Sequence, residues 1–214
     1  MIFRLDERNL FPHPSLADED GLLAVDGDLS VERLLVAYQN GIFPWYSDDT
    51  PILWYSPHQR FVLLPAELKI SKSLKQVLRS GRFVITYNES FEEVIEACSM
   101  AKREGQDGTW ITNDMKEAYI RLHHEGYAHS VEVWENDVLV GGLYGVEIGS
   151  VFCGESMFSK VSNASKMALV SLCQSNKYQL IDCQVHTEHL ESMGARLISR
   201  KEYMAVLQNT EAKG

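Results

Sequence analysis

The stretch from residue 129 to 185 does most to limit the fold. Residues 129–134, 138–144 and 150–158 are three apolar-rich β segments in a row. The first two are joined by a tight turn at Asn136-Asp137, residues that tolerate the left-handed backbone such a turn needs. A helical segment, 162–176, and a buried strand, 179–185, follow. Antiparallel strands that run on into helix, strand, helix and strand predict an α/β chain of the α+β kind: a mixed sheet with helices on its faces.

The flanking segments extend this pattern. Upstream, 61–64 reads as a short strand, 70–79 as a helix and 82–87 as an alternating strand. Ser90-Phe91-Glu92-Glu93 reads as a capping box opening a helix to about Lys102, and 113–124 as a helix closed by Gly126. Downstream come a short helix at 188–193, an edge strand at 195–198 and a last helix at 201–208. The first sixty residues differ. They hold five of the six prolines and one clear helix, capped by Ser30 and stopped by Gly41. The chain is therefore expected to divide into a small N-terminal domain, 1–60, and a larger domain, 61–214.

Composition excludes several function classes. No run of 18 apolar residues is present, so no membrane span is expected. The N-terminus has no apolar signal core behind a basic start, which points to the cytoplasm. A net charge of −10 excludes a protein coated in basic charge for nucleic acid, so any such contact must come from a local patch. The four cysteines form no C-x-x-C pair and read as reduced core thiols. His186-Thr187-Glu188-His189 and His123-His124-Glu125 lack the further ligands of a zinc site, so no metal is expected. Gly141-Gly142-Leu143-Tyr144-Gly145 does not fit a dinucleotide fingerprint, and there is no Walker loop.

Three places carry chemistry. Between Leu68 and Asn88 there are five basic residues and no acidic one, and Lys72, Lys75 and Arg79 share one face of the predicted helix. Such a patch can hold a phosphate backbone; read alone, it serves as readily as a solvated helix face. Asp182 and Gln184 alternate onto one side of an otherwise apolar strand, with Cys183 on the other. Buried polar groups are costly unless satisfied or used, so this pair is either a site or a polar strand end. Glu155 sits in a hydrophobic strand beside Gly154, and is either a site or half of a buried ion pair. Acyltransferases of the GCN5-related N-acetyltransferase type use the strand and helix order found here. Their coenzyme A pyrophosphate turn, Arg/Gln-x-x-Gly-x-Gly/Ala, is missing, so a different acyl donor is expected.

Taken together, a series of motifs resembles the leucyl/phenylalanyl-tRNA–protein transferases. They include Gly27-Asp28-Leu29-Ser30, Gly41-Ile42-Phe43-Pro44-Trp45, Thr109-Trp110-Ile111, Glu132-Val133-Trp134, Phe152-Cys153-Gly154-Glu155-Ser156-Met157-Phe158-Ser159, Asn163-Ala164-Ser165-Lys166 and Ile181-Asp182-Cys183-Gln184-Val185, in the family's order. The resemblance implies a small N-terminal domain and an acetyltransferase-like catalytic domain. It implies transfer of leucine or phenylalanine, and less readily methionine, from aminoacyl-tRNA to proteins beginning with arginine or lysine, marking them for N-end-rule degradation. No cofactor is implied, and a monomer is expected. By the same resemblance Asp182, Gln184 and Glu155 are the active-site trio; as a carboxylate, Asp182 is the candidate to orient the amine and take its proton, directly or through a neighbour. Trp45 and Trp110 belong to the donor site, Leu143, Phe152 and Met157 to the aminoacyl pocket, and Lys72 and Arg79 to the tRNA-facing surface. The chain departs at Leu143, where methionine is frequent, and at Gln76 and Ser80, where relatives carry extra basic residues. Two rival readings are a thiol acyltransferase using Cys153 or Cys183 with His129 or His186, and a tRNA-binding module without catalysis.

Overall fold

The computed structural model describes residues 2–101 and 111–211, which form two sheets. The smaller sheet is built from β1 (Phe3–Leu5), β2 (Leu22–Asp26), β3 (Phe43–Pro44) and β4 (Leu53–Tyr55), in the order β1-β2-β4-β3. Helix α1 (Val31–Gln39) separates β2 from β3 in the chain, and the Ser30 hydroxyl accepts from the Arg33 amide at its N-terminus. Gly41 ends it in the left-handed region at φ 67°, where a Cβ would come within 2.8 Å of the Met204 sulfur.

The larger sheet has seven strands: β5 (Gln59–Leu63), β6 (Val84–Tyr87), β7 (Ala128–Glu135), β8 (Val138–Ile148), β9 (Val151–Ser159), β10 (Leu180–Gln184) and β11 (Arg196–Ser199). Their order is β11-β5-β10-β9-β8-β7-β6. All neighbours are antiparallel except β9 and β10, which pair parallel. A parallel partner requires a crossover, and α5 (Ala164–Gln174) supplies it. The remaining helices are α2 (Lys72–Arg79), α3 (Phe91–Met100), α4 (Asn113–His124), α6 (Glu188–Ser192) and α7 (Arg200–Glu211). The mixed α/β architecture read from the sequence is present, with element ends shifted by a few residues. The β7–β8 turn runs through Asn136 at φ 51° and Asp137 at φ 61°, as a two-residue hairpin demands.

Each face of the large sheet has its own core. Val131, Val133, Leu143, Phe152 and Ile181 pack under α5. On the other face Tyr144, Val146, Cys153 and Phe158 meet Val94 of α3 and Met115 and Tyr119 of α4. This second cluster runs on without a break into Tyr38 and Leu34 of α1 and Leu23 and Trp54 of the small sheet. At about 1.5–3 kcal/mol for each fully buried aliphatic or aromatic side chain, that continuity fixes α1 against the large sheet.

One local expectation is corrected. Ser90 precedes α3 but its side chain makes no capping bond, so the capping box is absent. Asn88 holds this turn instead: it is left-handed at φ 60°, its side-chain carbonyl accepts from the Ser130 amide, and its amide meets His129. The expected end of that helix, Lys102, lies outside the described residues. Among the described residues no helix is long and apolar enough to cross a membrane.

Candidate active site

A β-bulge makes the pocket. Tyr144 pairs with Ser156 and Gly145 with Gly154, so Glu155 is the extra residue in β9. In an unbroken strand, Phe152 and Met157, five positions apart, would lie on opposite faces. The extra residue at 155 brings both to the α5 face, while Cys153 and Phe158 share the other. Gly145, opposite the bulge, must be glycine: a Cβ there would lie 2.6 Å from the Phe152 ring. Just before the bulge β9 and β10 part, their last pair being Cys153 with Asp182.

A cavity of about 380 Å³ opens where they part. Leu143, Phe152 and Met157 line it, with Leu169 and Leu172 from α5, and Pro44 and Trp45 form a wall from the N-terminal part of the chain. Glu155, Asp182 and Gln184 lie along its polar side. Apolar walls around a few convergent polar groups are the usual form of a small-ligand site.

The two carboxylates are held differently. Asp182 is fully buried. Arg60 of β5 grips it with Nε at 2.9 and 3.0 Å and Nη2 at 2.7 Å, and the Tyr203 hydroxyl donates to it at 2.9 Å. The Gln184 amide donates to Asp182 Oδ1 at 2.9 Å. Burial opposes the Arg60 cation, but the Asp182 charge beside it raises its pKa above the usual arginine value.

Glu155 is 7% exposed and, among the described residues, has no cation on it. Its partners are Tyr38 of α1 at 2.7 Å, Tyr119 of α4 at 3.0 Å and the Gln184 side-chain amide at 2.8 Å. The Tyr38 and Tyr119 hydroxyls also touch each other, and burial beside Glu155 keeps both phenols protonated, so each can donate to the acid. Burial pushes the Glu155 carboxyl up to about 7; the three hydrogen bonds restrain the rise. Gln184 reaches this acid through a distorted backbone. It is left-handed at φ 58°, and the Val185 amide turns back to the Cys183 carbonyl at 2.6 Å. A non-glycine residue held this way costs about 1–3 kcal/mol, and such strain clusters at functional sites.

The other expected residues are distributed as follows. Trp45 is 38% exposed on the cavity wall, beside Tyr55. Trp110 lies outside the described residues. Lys72, Lys75 and Arg79 stand exposed on one side of α2 while Leu74 is buried on the other, and none of the three forms an ion pair among the described residues. The cysteines form no disulfide among the described residues, and burial raises the pKa of Cys153 and Cys183, so neither is an activated thiolate. Cys153 meets the Tyr203 hydroxyl at 3.7 Å, whereas His186 pairs with Glu191 and His129 with Asn88 and Glu147, which leaves the thiol reading without its base. Among the described residues no three His, Cys, Asp or Glu side chains converge as metal ligands. Arg60, Tyr38, Tyr119 and Tyr203 are absent from the sequence reading. The only local signal for Arg60 is its place directly before the apolar run Phe61-Val62-Leu63-Leu64.

The chain is similar to known proteins along nearly its whole length. The family model described as leucyl/phenylalanyl-tRNA protein transferase matches residues 62–208, and that of the family's N-terminal domain matches 27–58. The transferase of that name from Flavobacterium johnsoniae is 56% identical over 93% of this chain and 95% of its own length. The one from Syntrophobacter fumaroxidans is 57% identical over 96% and 89%. Among solved structures, the chain is similar to FemX at 11% identity and a TM-score of 0.49, over 83% of this chain and 70% of that one. It is similar to a GCN5-related N-acetyltransferase from Kribbella flavida at 8% and 0.37, over 76% and 58%. At more than half identity over almost all of both chains, it belongs to the leucyl/phenylalanyl-tRNA–protein transferase family, enzymes that transfer an amino acid from aminoacyl-tRNA to protein.

Proposed function

We propose that the enzyme takes leucine or phenylalanine, and less readily methionine, from the 3′ end of its tRNA and joins it to the α-amine of proteins that begin with arginine or lysine. It does so as a cytoplasmic monomer, marking those proteins for N-end-rule degradation. The observation that carries this reading is the apolar cavity that ends on Glu155, a buried acid with no cation on it among the described residues and a pKa pushed up to about 7 by burial. Leu143, Phe152 and Met157 would surround the donor's side chain. The three donors are unbranched at Cβ, so a cavity narrow at that point disfavours isoleucine and valine by about 1–3 kcal/mol.

The chemistry is exchange of an ester for an amide. The acceptor nitrogen attacks the ester carbonyl, the C–N bond forms, and the bond to the ribose oxygen breaks. One proton leaves the amine and one is gained by the ribose oxygen, and because an amide is more stable than the ester it replaces, the exchange runs downhill without ATP. The amine has a pKa near ~8 and is roughly one-tenth unprotonated at pH 7, which calls for only a modest base. Glu155 fits that role better than Asp182. Its affinity for a proton lies near neutrality, so it can accept the proton from the amine and return it to the leaving oxygen. Asp182 is spent on Arg60, Tyr203 and the Gln184 backbone, and acts by holding Gln184 in place. Gln184 commits its Nε2 to Glu155, leaving its Oε1 to accept from the incoming amine. Trp45 offers a stacking surface for the terminal adenine, and Lys72, Lys75 and Arg79 offer charge for the tRNA backbone.

The test mixes the purified protein with radiolabelled leucyl-tRNA and two peptides, one starting with arginine and one with alanine. Label in the arginine peptide alone, with no added cofactor, is the expected result. No transfer from leucyl-, phenylalanyl- or methionyl-tRNA would overturn the reading. Binding of charged tRNA over a salt series checks the basic helix: Lys75→Ala should lower the salt slope by about 1 without changing donor preference.

A further inference from the structure

We infer that Arg60 is a positioning residue that sets two walls of the site with one guanidinium group, an inference that rests on the reaction proposed above. Arg60 is 2% exposed. Its Nε and Nη2 hold Asp182, while Nη1 donates to the Gly41 carbonyl at 2.9 Å. The rings of Phe43 and Tyr203 each lie 4.6 Å from the guanidinium carbon. Five donors in a fixed plane make these contacts interdependent: the group cannot rotate toward one without leaving another.

From each contact a short path leads to the cavity. Along the first, Asp182 Oδ1 accepts from the Gln184 amide and so holds that residue in its left-handed conformation, from which Gln184 Nε2 reaches Glu155. Along the second, Gly41 is followed by Phe43, which stacks on the same guanidinium, and then by Pro44 and Trp45 of the cavity wall. The Trp45 amide donates to the Leu53 carbonyl, which anchors the far end of the segment. A buried ion pair kept only for stability would need Asp182 alone. The bond to the Gly41 carbonyl and the stacking on Phe43 extend the grip from β10 to the donor wall. Lysine would keep the charge but present one compact ammonium, which cannot span Asp182 and Gly41 together in this geometry.

The experiment uses the full-length chain with Arg60→Lys, Asp182→Asn and both together. Unfolding midpoints are measured beside kcat and separate KM values for leucyl-tRNA and an arginine-initial peptide. Arg60→Lys is expected to stay folded, to lose about 10- to 100-fold in kcat, and to raise KM for leucyl-tRNA. Adding Asp182→Asn to it should cost little more, because both substitutions cut the same path. Phe43→Leu provides a second reading that leaves the ion pair whole: KM for leucyl-tRNA should rise with an unchanged pH profile. Normal kcat and KM in folded Arg60→Lys, additive losses in the double variant, or an unchanged KM in Phe43→Leu would each overturn the inference while the proposed reaction stands. A wild-type chain that transfers nothing under the same conditions would bring down both.

Discussion

Asp182 and Glu155 lie at one end of the same cavity, one on β10 and the other on the β9 bulge. Asp182 is buried against a buried cation, and it accepts from Arg60, Tyr203 and the Gln184 amide. Glu155 is almost as deeply buried, but every partner it has among the described residues is neutral: two phenols and a carboxamide. The first arrangement holds a carboxylate between a buried cation and two further donors and leaves it no capacity for anything else. The second leaves an acid balanced between its two forms, because neutral donors only partly offset the loss of water. On the proposed mechanism, burial alone does not mark the reactive group; burial without a compensating charge does.

The largest effect should separate these two roles. Asp182→Ala leaves the Arg60 cation buried and alone, which costs about 3–5 kcal/mol and should appear as a lower midpoint in urea unfolding. Glu155→Gln keeps the shape and most of the hydrogen bonds, and should unfold within about 1 kcal/mol of wild type at pH 5. Its kcat should fall by about 10²- to 10⁴-fold. If Asp182→Ala retained its stability while losing activity as badly as Glu155→Gln, the distinction between a locking and a reacting carboxylate would be lost.

Next in size is the response to pH. Wild-type kcat/KM at low peptide concentration should rise with two ionisations, Glu155 near 7 and the acceptor amine near ~8. Glu155→Gln should retain only the second. Stability follows the same group with a definite sign. The folded state holds the Glu155 proton more tightly than the unfolded chain does, since burial raises its pKa from 4.5 to about 7. The stability this confers is full below the unfolded pKa and is lost as pH rises through 7. Glu155→Gln should therefore gain on wild type between pH 5 and pH 8, measured as the difference in melting temperature. A constant difference across that range would mean that Glu155 is already ionised at pH 5.

How far these features can be read from the sequence depends on their range. The β7–β8 hairpin is legible because its turn residues and alternation are local, and the polar pair Asp182 and Gln184 is legible because it interrupts an apolar strand. The bulge at Glu155 is not, since it exists only in the register with β8; without it the alternation rule puts Phe152 and Met157 on opposite faces. Arg60 looks like the end of an irregular segment until β10 lies beside it, 122 positions along the chain. Tyr38 and Tyr119 are 81 positions apart and look like ordinary residues of two amphipathic helices. What distinguishes them is the acid they share, and that acid belongs to a third element.

The smallest predicted effect is also the sharpest test of the comparison, because it makes the same chemical change on both sides of it. Tyr119→Phe and Tyr203→Phe each delete one hydroxyl that donates to a buried carboxylate. Each should cost about 1–3 kcal/mol of stability. Their effects on rate should differ. The Tyr119 bond stabilises ionised Glu155, so its loss should push the ionisation near 7 upward by about one unit, with the plateau rate largely kept. Tyr203 serves an acid already neutralised by Arg60, so its loss should lower the melting temperature and leave the profile where it was. Tyr38→Phe should follow Tyr119→Phe, since it too donates to Glu155. A shift in the Tyr203→Phe profile matching that of Tyr119→Phe would show the two acids titrating as one coupled unit, and the proton would then belong to the pair rather than to Glu155.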